Sequence, residues 1–206
     1  MIIDISWPIT PEMTTYKDSK FVRFERGKIF EHDSVRDSTI TVPSHTGTHI
    51  DAAAHFLKEG KTVEHISFDY LVGPCRVLDL THVQEKVTAS DLQNHDIQKH
   101  EILLLKTKNS QKTPNEPFDY NFVYLDKEAA SYLVKQKIKT VGIDYLGIER
   151  NQTEHETHSI LFEHDSVIIE GLRLGHIEPG PYMLWCLPLA VQGLEAVPVR
   201  AVLIKE

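Results

Sequence analysis

The chain has 206 residues, 41% of them hydrophobic and 25% charged, a globular balance for which one domain over residues 1–206 is the default. A net charge of −8 without any Lys/Arg block argues against a phosphate-binding face, and so against a nucleic-acid partner. Met1-Ile2-Ile3-Asp4 is no secretory leader, and no apolar stretch reaches membrane-spanning length, so a cytoplasmic protein without a membrane partner is expected.

Ile2 to Ile5 reads as a short strand, stopped by Pro8 and Pro11. Met13 to Ser19 is polar around Tyr16 and reads as loop. Phe21 to Phe24 and Ser38 to Val42 have strand composition, and the second leads through Pro43 into a histidine-rich stretch, Ser44 to Phe56. There His45, His49, Asp51 and His55 fall at spacings of four, two and four. In an extended chain these odd-numbered side chains share one face; in a helix His45/His49 and Asp51/His55 are i,i+4 pairs. Either conformation lets them converge. Imidazoles with a carboxylate suit zinc or manganese, and Gly47 permits a sharp turn between them. With 12 histidines in the chain some clustering arises by chance. The flanking Thr, Gly and Ala, however, do not resemble a solvated charged face.

Cys75 to Leu80 alternates as a strand with one buried face, and Thr88 to Leu92 starts a helix with Ser90 as its N-cap. Glu101 to Lys106 holds a buried strand, and the proline-bearing segment Lys108 to Asp119 is loop. Asp126 caps a helix to Ile138, striped by Ala130, Leu133, Val134 and Ile138, and Thr140 to Asp144 follows as a strand. That alternation indicates an α/β layer arrangement. Ser166 to Ile169 is a strand delivering Glu170 to its end, before Gly171. Pro181 to Leu189 and Ala201 to Ile204 are the last apolar runs. Cys75 and Cys186 read as buried free thiols.

Glu170 and one of His155, His158 and His164 are the further ligand candidates, and the residues alone do not choose among the three histidines. The H-E-x-x-H, G-x-S-x-G, phosphate-loop and dinucleotide patterns do not occur in the sequence.

His45-Thr46-Gly47-Thr48-His49-Ile50-Asp51, continued by Ala52-Ala53-Ala54-His55-Phe56, resembles the H-x-G-T-H-x-D-x-P-x-H signature of the cyclase family of metal-dependent hydrolases. That family includes bacterial arylformamidases (kynurenine formamidases) and isatin hydrolases. Asp4-Ile5-Ser6, Val141 to Asp144, Glu156-Thr157-His158, Ile169 to Leu172, Leu187-Pro188-Leu189 and Arg200-Ala201 resemble its other blocks in order. The resemblance implies a swivelling β/β/α domain, a mixed β-sheet core with flanking helices. It implies that His45, His49 and Asp51 hold one divalent ion, that His158 helps hold a second, and that Asp51 and Glu170 bridge the pair. Zinc is the expected metal, with manganese as the alternative. His55 would be the general acid/base and Tyr16 a substrate contact. The implied activity is hydrolysis of a small-molecule amide or formamide, with N-formylkynurenine as the leading substrate, by a homodimer or larger homo-oligomer. Alternatives are an isatin-like cyclic amide as substrate, or a metal-binding protein without turnover. Two positions depart from the family: Ala53 replaces the signature's proline, and Tyr16 stands near a pocket tryptophan without the usual Pro-Gly beside it.

Overall fold

The structure, a computed structural model, describes residues 1–19 and 21–205. Strand β1 (Ile2–Asp4) opens the chain, followed by β2 (Arg23–Lys28), the short helix α1 (Phe30–Asp33) and β3 (Asp37–Thr41). Next come β4 (His49–Asp51), β5 (Val72–Asp79), β6 (Lys86–Val87), α2 (Ala89–Gln93) and β7 (Ile102–Lys106). Then follow β8 (Tyr124–Leu125), α3 (Lys127–Lys135), β9 (Thr140–Ile143), α4 (Glu156–Phe162) and β10 (Val167–Glu170). The long strands β11 (Gly180–Pro188) and β12 (Ala196–Ile204) complete the order.

β5, β7, β9 and β10 lie side by side and parallel, and α2, α3 and α4 are carried on the crossovers that parallel neighbours require. β11 and β12 extend this sheet antiparallel from β5. β4 then pairs with β10 on one side and with the first residues of β12 on the other, which closes the sheet into a barrel. The mixed sheet with flanking helices agrees with the expected α/β class. Its closure through a three-residue strand was not legible in the sequence.

Alternation along the strands sorts the core. Ile102 and Leu104 of β7 face the barrel interior with Ile50, Ile169, Leu184 and Cys186. Leu103 and Leu105 face the other way, against Ala129 and Leu133 of α3 and Leu161 of α4. The parallel half is thus buried on both faces, as its continuous apolar runs require. Each fully buried leucine contributes about 1.5–3 kcal/mol. A third cluster, with Trp7, Met13, Phe118, Phe122 and Tyr145, supports the loops at the carboxyl ends of the parallel strands.

Several local readings change. α2 is capped by Thr88, not Ser90: the Thr88 hydroxyl accepts from the Asp91 N–H while the Asp91 carboxylate accepts from the Thr88 N–H. The strand expected at Phe21 to Phe24 is displaced to β2, and it pairs only with β3, in a hairpin whose strand residues are all exposed. Residues 156–162 form α4, whose helical character the sequence did not announce. The expected loops at 13–19 and 108–119 each hold a short 3-10 turn, Tyr16–Asp18 and Lys108–Gln111. Asp126 caps α3 as expected, accepting from the Ala129 N–H at 2.8 Å. Cys75 and Cys186 are free and buried, and burial pushes both thiols up to about 12.

Candidate metal centre

The histidine stretch is neither one strand nor one helix. Gly47 turns the chain at φ +61°, and a Cβ there would lie 3.2 Å from the Trp7 carbonyl oxygen, so the turn favours glycine. His49–Asp51 is then extended as β4, and Ala53–His55 forms a 3-10 turn. Period two therefore aligns only His49 with Asp51; His45 and His55 reach the same place through the flanking turns. β4 is antiparallel to β10 with His49 directly opposite Glu170. Ile50 and Ile169 point into the barrel, so His49, Asp51 and Glu170 point outward, towards α4. α4 buries Thr157, His158, Leu161 and Phe162 on its inner face, which brings His158 over the three.

The resulting cluster is tight. Asp51 Oδ1 lies 3.4 Å from His45 Nε2 and 3.5 Å from His49 Nε2. Asp51 Oδ2 lies 3.7 Å from His158 Nε2. Glu170 places Oε2 3.3 Å from His49 Nε2 and Oε1 3.5 Å from His158 Nε2. Of the three late histidines, His158 is the one placed against Asp51 and Glu170. His164 is exposed and bonds the carbonyl of Ile160, and His155 stands at the pocket rim.

Two observations test this cluster against a divalent ion. Among the described residues, both Asp51 oxygens, His45 Nε2 and His49 Nε2 are buried without a hydrogen-bond partner. An unpaired buried carboxylate is costly, and a cation removes that cost. Secondly, separations of 3.3–3.7 Å are too long for hydrogen bonds. They match the edge of a tetrahedron around an ion with ligands at about 2.1 Å, an edge of about 3.4 Å. The donor set of imidazole and carboxylate fits, and supports a divalent metal. His45, Asp51 and His55 form one convergent triad and His49, Asp51 and Glu170 another, with Asp51 common to both.

Neighbouring groups hold these side chains in place. His49 Nδ1–H donates to the Gly47 carbonyl at 2.9 Å, which fixes the tautomer and leaves Nε2 facing Glu170. Glu170 Oε1 accepts from the Ile148 N–H at 2.6 Å. Ser44 donates to Glu195, whose carboxylate lies 3.7 Å from His45 Nδ1. Glu149, which the sequence reading missed, lies between two histidines: Oε2 is 3.0 Å from His158 Nδ1, and Oε1 contacts His155 Nδ1. Nothing in its sequence context separates it from a surface glutamate, because its burial depends on α4 folding back over the loop after β9.

Charge is concentrated here. Burial opposes protonation of His49, yet Asp51 and Glu170 raise it to about 9. Burial likewise opposes a charge on His158, but Asp51, Glu149 and Glu170 hold it well above the ordinary imidazole range. Burial also opposes ionisation of Glu170, and His158 and His49 outweigh it and hold that carboxyl far below the usual range. His55 behaves oppositely: burial lowers it, and the neighbouring His45 and His158 add to that lowering against the opposing pull of Asp51 and Glu170.

His45, His55, His158 and Glu170 open onto a cavity of ≈ 710 Å³. Tyr16, Phe56 and Leu146 form its apolar walls, and Lys17, Gln152 and His155 stand among its polar lining. Tyr16 packs edge-on against Phe118, with ring centroids 5.1 Å apart, and is 41% exposed. His55 packs on His45, with ring centroids 4.2 Å apart, and on Phe56. Tyr16, His45, His55, His158 and Glu170 therefore border one space, while His49 and Asp51 are buried and do not line it.

Similar proteins agree with this architecture. A kynurenine formamidase of Bacillus cereus is 35% identical over 203 residues, covering 98% of this chain and 96% of its own. A predicted metal-dependent hydrolase from Bacillus stearothermophilus superposes with a TM-score of 0.88 at 40% identity, over 98% of this chain and 97% of that one. Isatin hydrolase A from Labrenzia aggregata, at 20% identity and a TM-score of 0.83, covers 100% of this chain and 94% of its own, and shares the fold. The family described as Putative cyclase matches residues 3–150, the span that carries His45 through Asp51, and the chain belongs to that family.

Proposed function

We propose that this chain is a metal-dependent hydrolase of non-peptide C–N bonds that cleaves an aryl formamide, N-formylkynurenine being the leading candidate. The observation that supports it most is Asp51: a carboxylate buried without a hydrogen-bond partner among the described residues, between His45, His49 and His158, of which His45 and His158 border an open cavity. The full-length likeness to kynurenine formamidases supports the formamide as substrate class.

His45, His49, Asp51, His158 and Glu170 would hold two divalent ions, with Asp51 and Glu170 shared. Such ions supply Lewis acidity towards a carbonyl oxygen and an activated water at neutral pH. The remaining work belongs to side chains. Tyr16, Phe56 and Leu146 offer an aryl group apolar walls and exclude water from its faces. His55 is half-buried beside the ligands without being enclosed by them, so its ring can deliver a proton to a departing amine nitrogen. Phe56, stacked between His155 and His158 at 4.6 and 4.5 Å, holds the wall next to His55.

His55→Ala should retain metal and lose activity by about 10²–10⁴-fold. The convergence of His55 with His45 and Asp51 favours one rival role, that of a third ligand. Measuring bound metal and formamide turnover on the same His55→Ala sample separates them, since parallel loss of both makes His55 a ligand.

A further inference from the structure

Lys17 and Asp18 are consecutive residues in the left-handed region, at φ +50° and +56°, and neither is glycine. Side chains rarely adopt that backbone, and where it persists the surroundings hold it, often beside a ligand. Here two contacts hold the turn. Asp18 Oδ1 accepts from the Phe118 N–H at 2.9 Å, and Tyr16 packs edge-on against the Phe118 ring. The anchored turn sets Lys17 on the wall of the cavity, with Nζ over the Tyr16 ring at 5.1 Å from its centroid. Beside Tyr16, where the family's usual Pro-Gly is missing, this chain therefore carries a cation.

That cation is uncommitted. Among the described residues the Lys17 ammonium has no ion-pair partner, and its neighbour is the Tyr16 ring. The carboxylates of the wall, by contrast, are engaged: Glu149 lies between His155 and His158, and Glu170 between His49 and His158. Lys17 is also the single Lys or Arg among the described residues that line the cavity. On a chain of net charge −8 it supplies a local attraction for an anion that the rest of the surface repels.

We propose that Lys17 recognises a carboxylate carried by the substrate away from the bond that is cleaved, so that the site takes aryl formamides with an anionic tail in preference to neutral ones. This role rests on the hydrolase reading above and narrows its substrate class. N-formylkynurenine has such a carboxylate, on the short chain ortho to its formamide, whereas a neutral cyclic amide of the isatin kind has none. Tyr16 and Lys17 offer an apolar wall and a charge side by side, which matches an aryl ring and its tail. A contact of this kind is made equally before and during the reaction. Its loss therefore appears in KM rather than in kcat.

The test compares metal-loaded wild type, Lys17→Gln and Lys17→Arg on N-formylkynurenine and on its primary carboxamide, a molecule of equal size without the carboxylate charge. Wild type should prefer the acid by about tenfold in kcat/KM, and about 0.5 M sodium chloride should remove most of that preference. Lys17→Gln should lose the preference through KM, and Lys17→Arg should keep it. The readout is a ratio within each protein, so a general loss of activity does not imitate the result. Calorimetric titration with kynurenine, which retains the carboxylate, reads binding without turnover: its dissociation constant should rise about tenfold in Lys17→Gln and not in Lys17→Arg. A wild type indifferent to the carboxylate, or an acid-to-amide ratio unaltered in Lys17→Gln, overturns the role of Lys17 while formamide hydrolysis stands. Wild type that turns over neither compound overturns the hydrolase reading, and this role with it.

Discussion

Asp51 is 1% exposed, yet neither of its oxygens has a hydrogen-bond donor among the described residues, and it is the residue shared by both convergent triads. Its importance was legible because His45, His49 and Asp51 are close in sequence and their residue types already specify the chemistry. Glu170 was legible for a different reason, being a carboxylate that ends an apolar strand. Glu149 was not, since it acts through the histidine of a helix that the sequence did not announce. A carboxylate behind a ligating imidazole sets its orientation and basicity, and losing it typically costs 10–100-fold in metal affinity. Glu149→Gln should therefore weaken metal binding by about that factor while the far-UV spectrum stays unchanged. A competition titration against a chromophoric chelator measures it, and unaltered affinity would remove Glu149 from the site.

At the scale of elements, the join between β4 and β10 positions the cluster. Gly171 follows β10 at φ +70°, and a Cβ there would lie 2.2 Å from the Gly47 carbonyl oxygen. Gly171→Ala should thus disturb the Gly47 turn and with it His45 and His49. A loss of about 1–3 kcal/mol or more in urea unfolding is expected, together with reduced metal occupancy. α2 tests a separate local reading. Burial opposes ionisation of Asp91, but its hydrogen bonds to Thr88 hold the carboxyl below its ordinary 3.8. A depressed carboxyl adds stability above its unfolded value, and that stability is lost as pH falls through the folded one. Asp91→Asn should cost about 0.5–2 kcal/mol at pH 7, in the range of a helix cap. The gap to wild type should close below about pH 3.8 and not above it. The sequence pointed to Ser90 because both residues are good caps, and what decides is that Thr88 alone is extended, at φ −103° and ψ 166°. Both strands of the β2–β3 hairpin were expected, at Phe21 to Phe24 and Ser38 to Val42, but not their pairing with each other: β2 holds three cations and one phenylalanine, and its place depends on β3 rather than on burial.

Across the whole molecule, a barrel closed by a three-residue strand brings together groups more than 100 residues apart in sequence, from His45 to Glu170. The succession of helix and strand patterns indicated an α/β domain, and the strand-ending carboxylate Glu170 indicated where a site lay. Closure could not be read, because β4 holds its place through backbone pairing with β10 and β12 while two of its three side chains, His49 and Asp51, are committed to the cluster. That commitment makes metal, structure and activity one question. The direct measurement is metal content by mass spectrometry together with N-formylkynurenine turnover, on one preparation before chelation, after it and after stepwise return of zinc or manganese. About two equivalents per chain, with turnover lost on chelation and restored in step with reloading, is the expected result. Stoichiometric metal absent at every stage, or turnover indifferent to the chelator, would contradict the account.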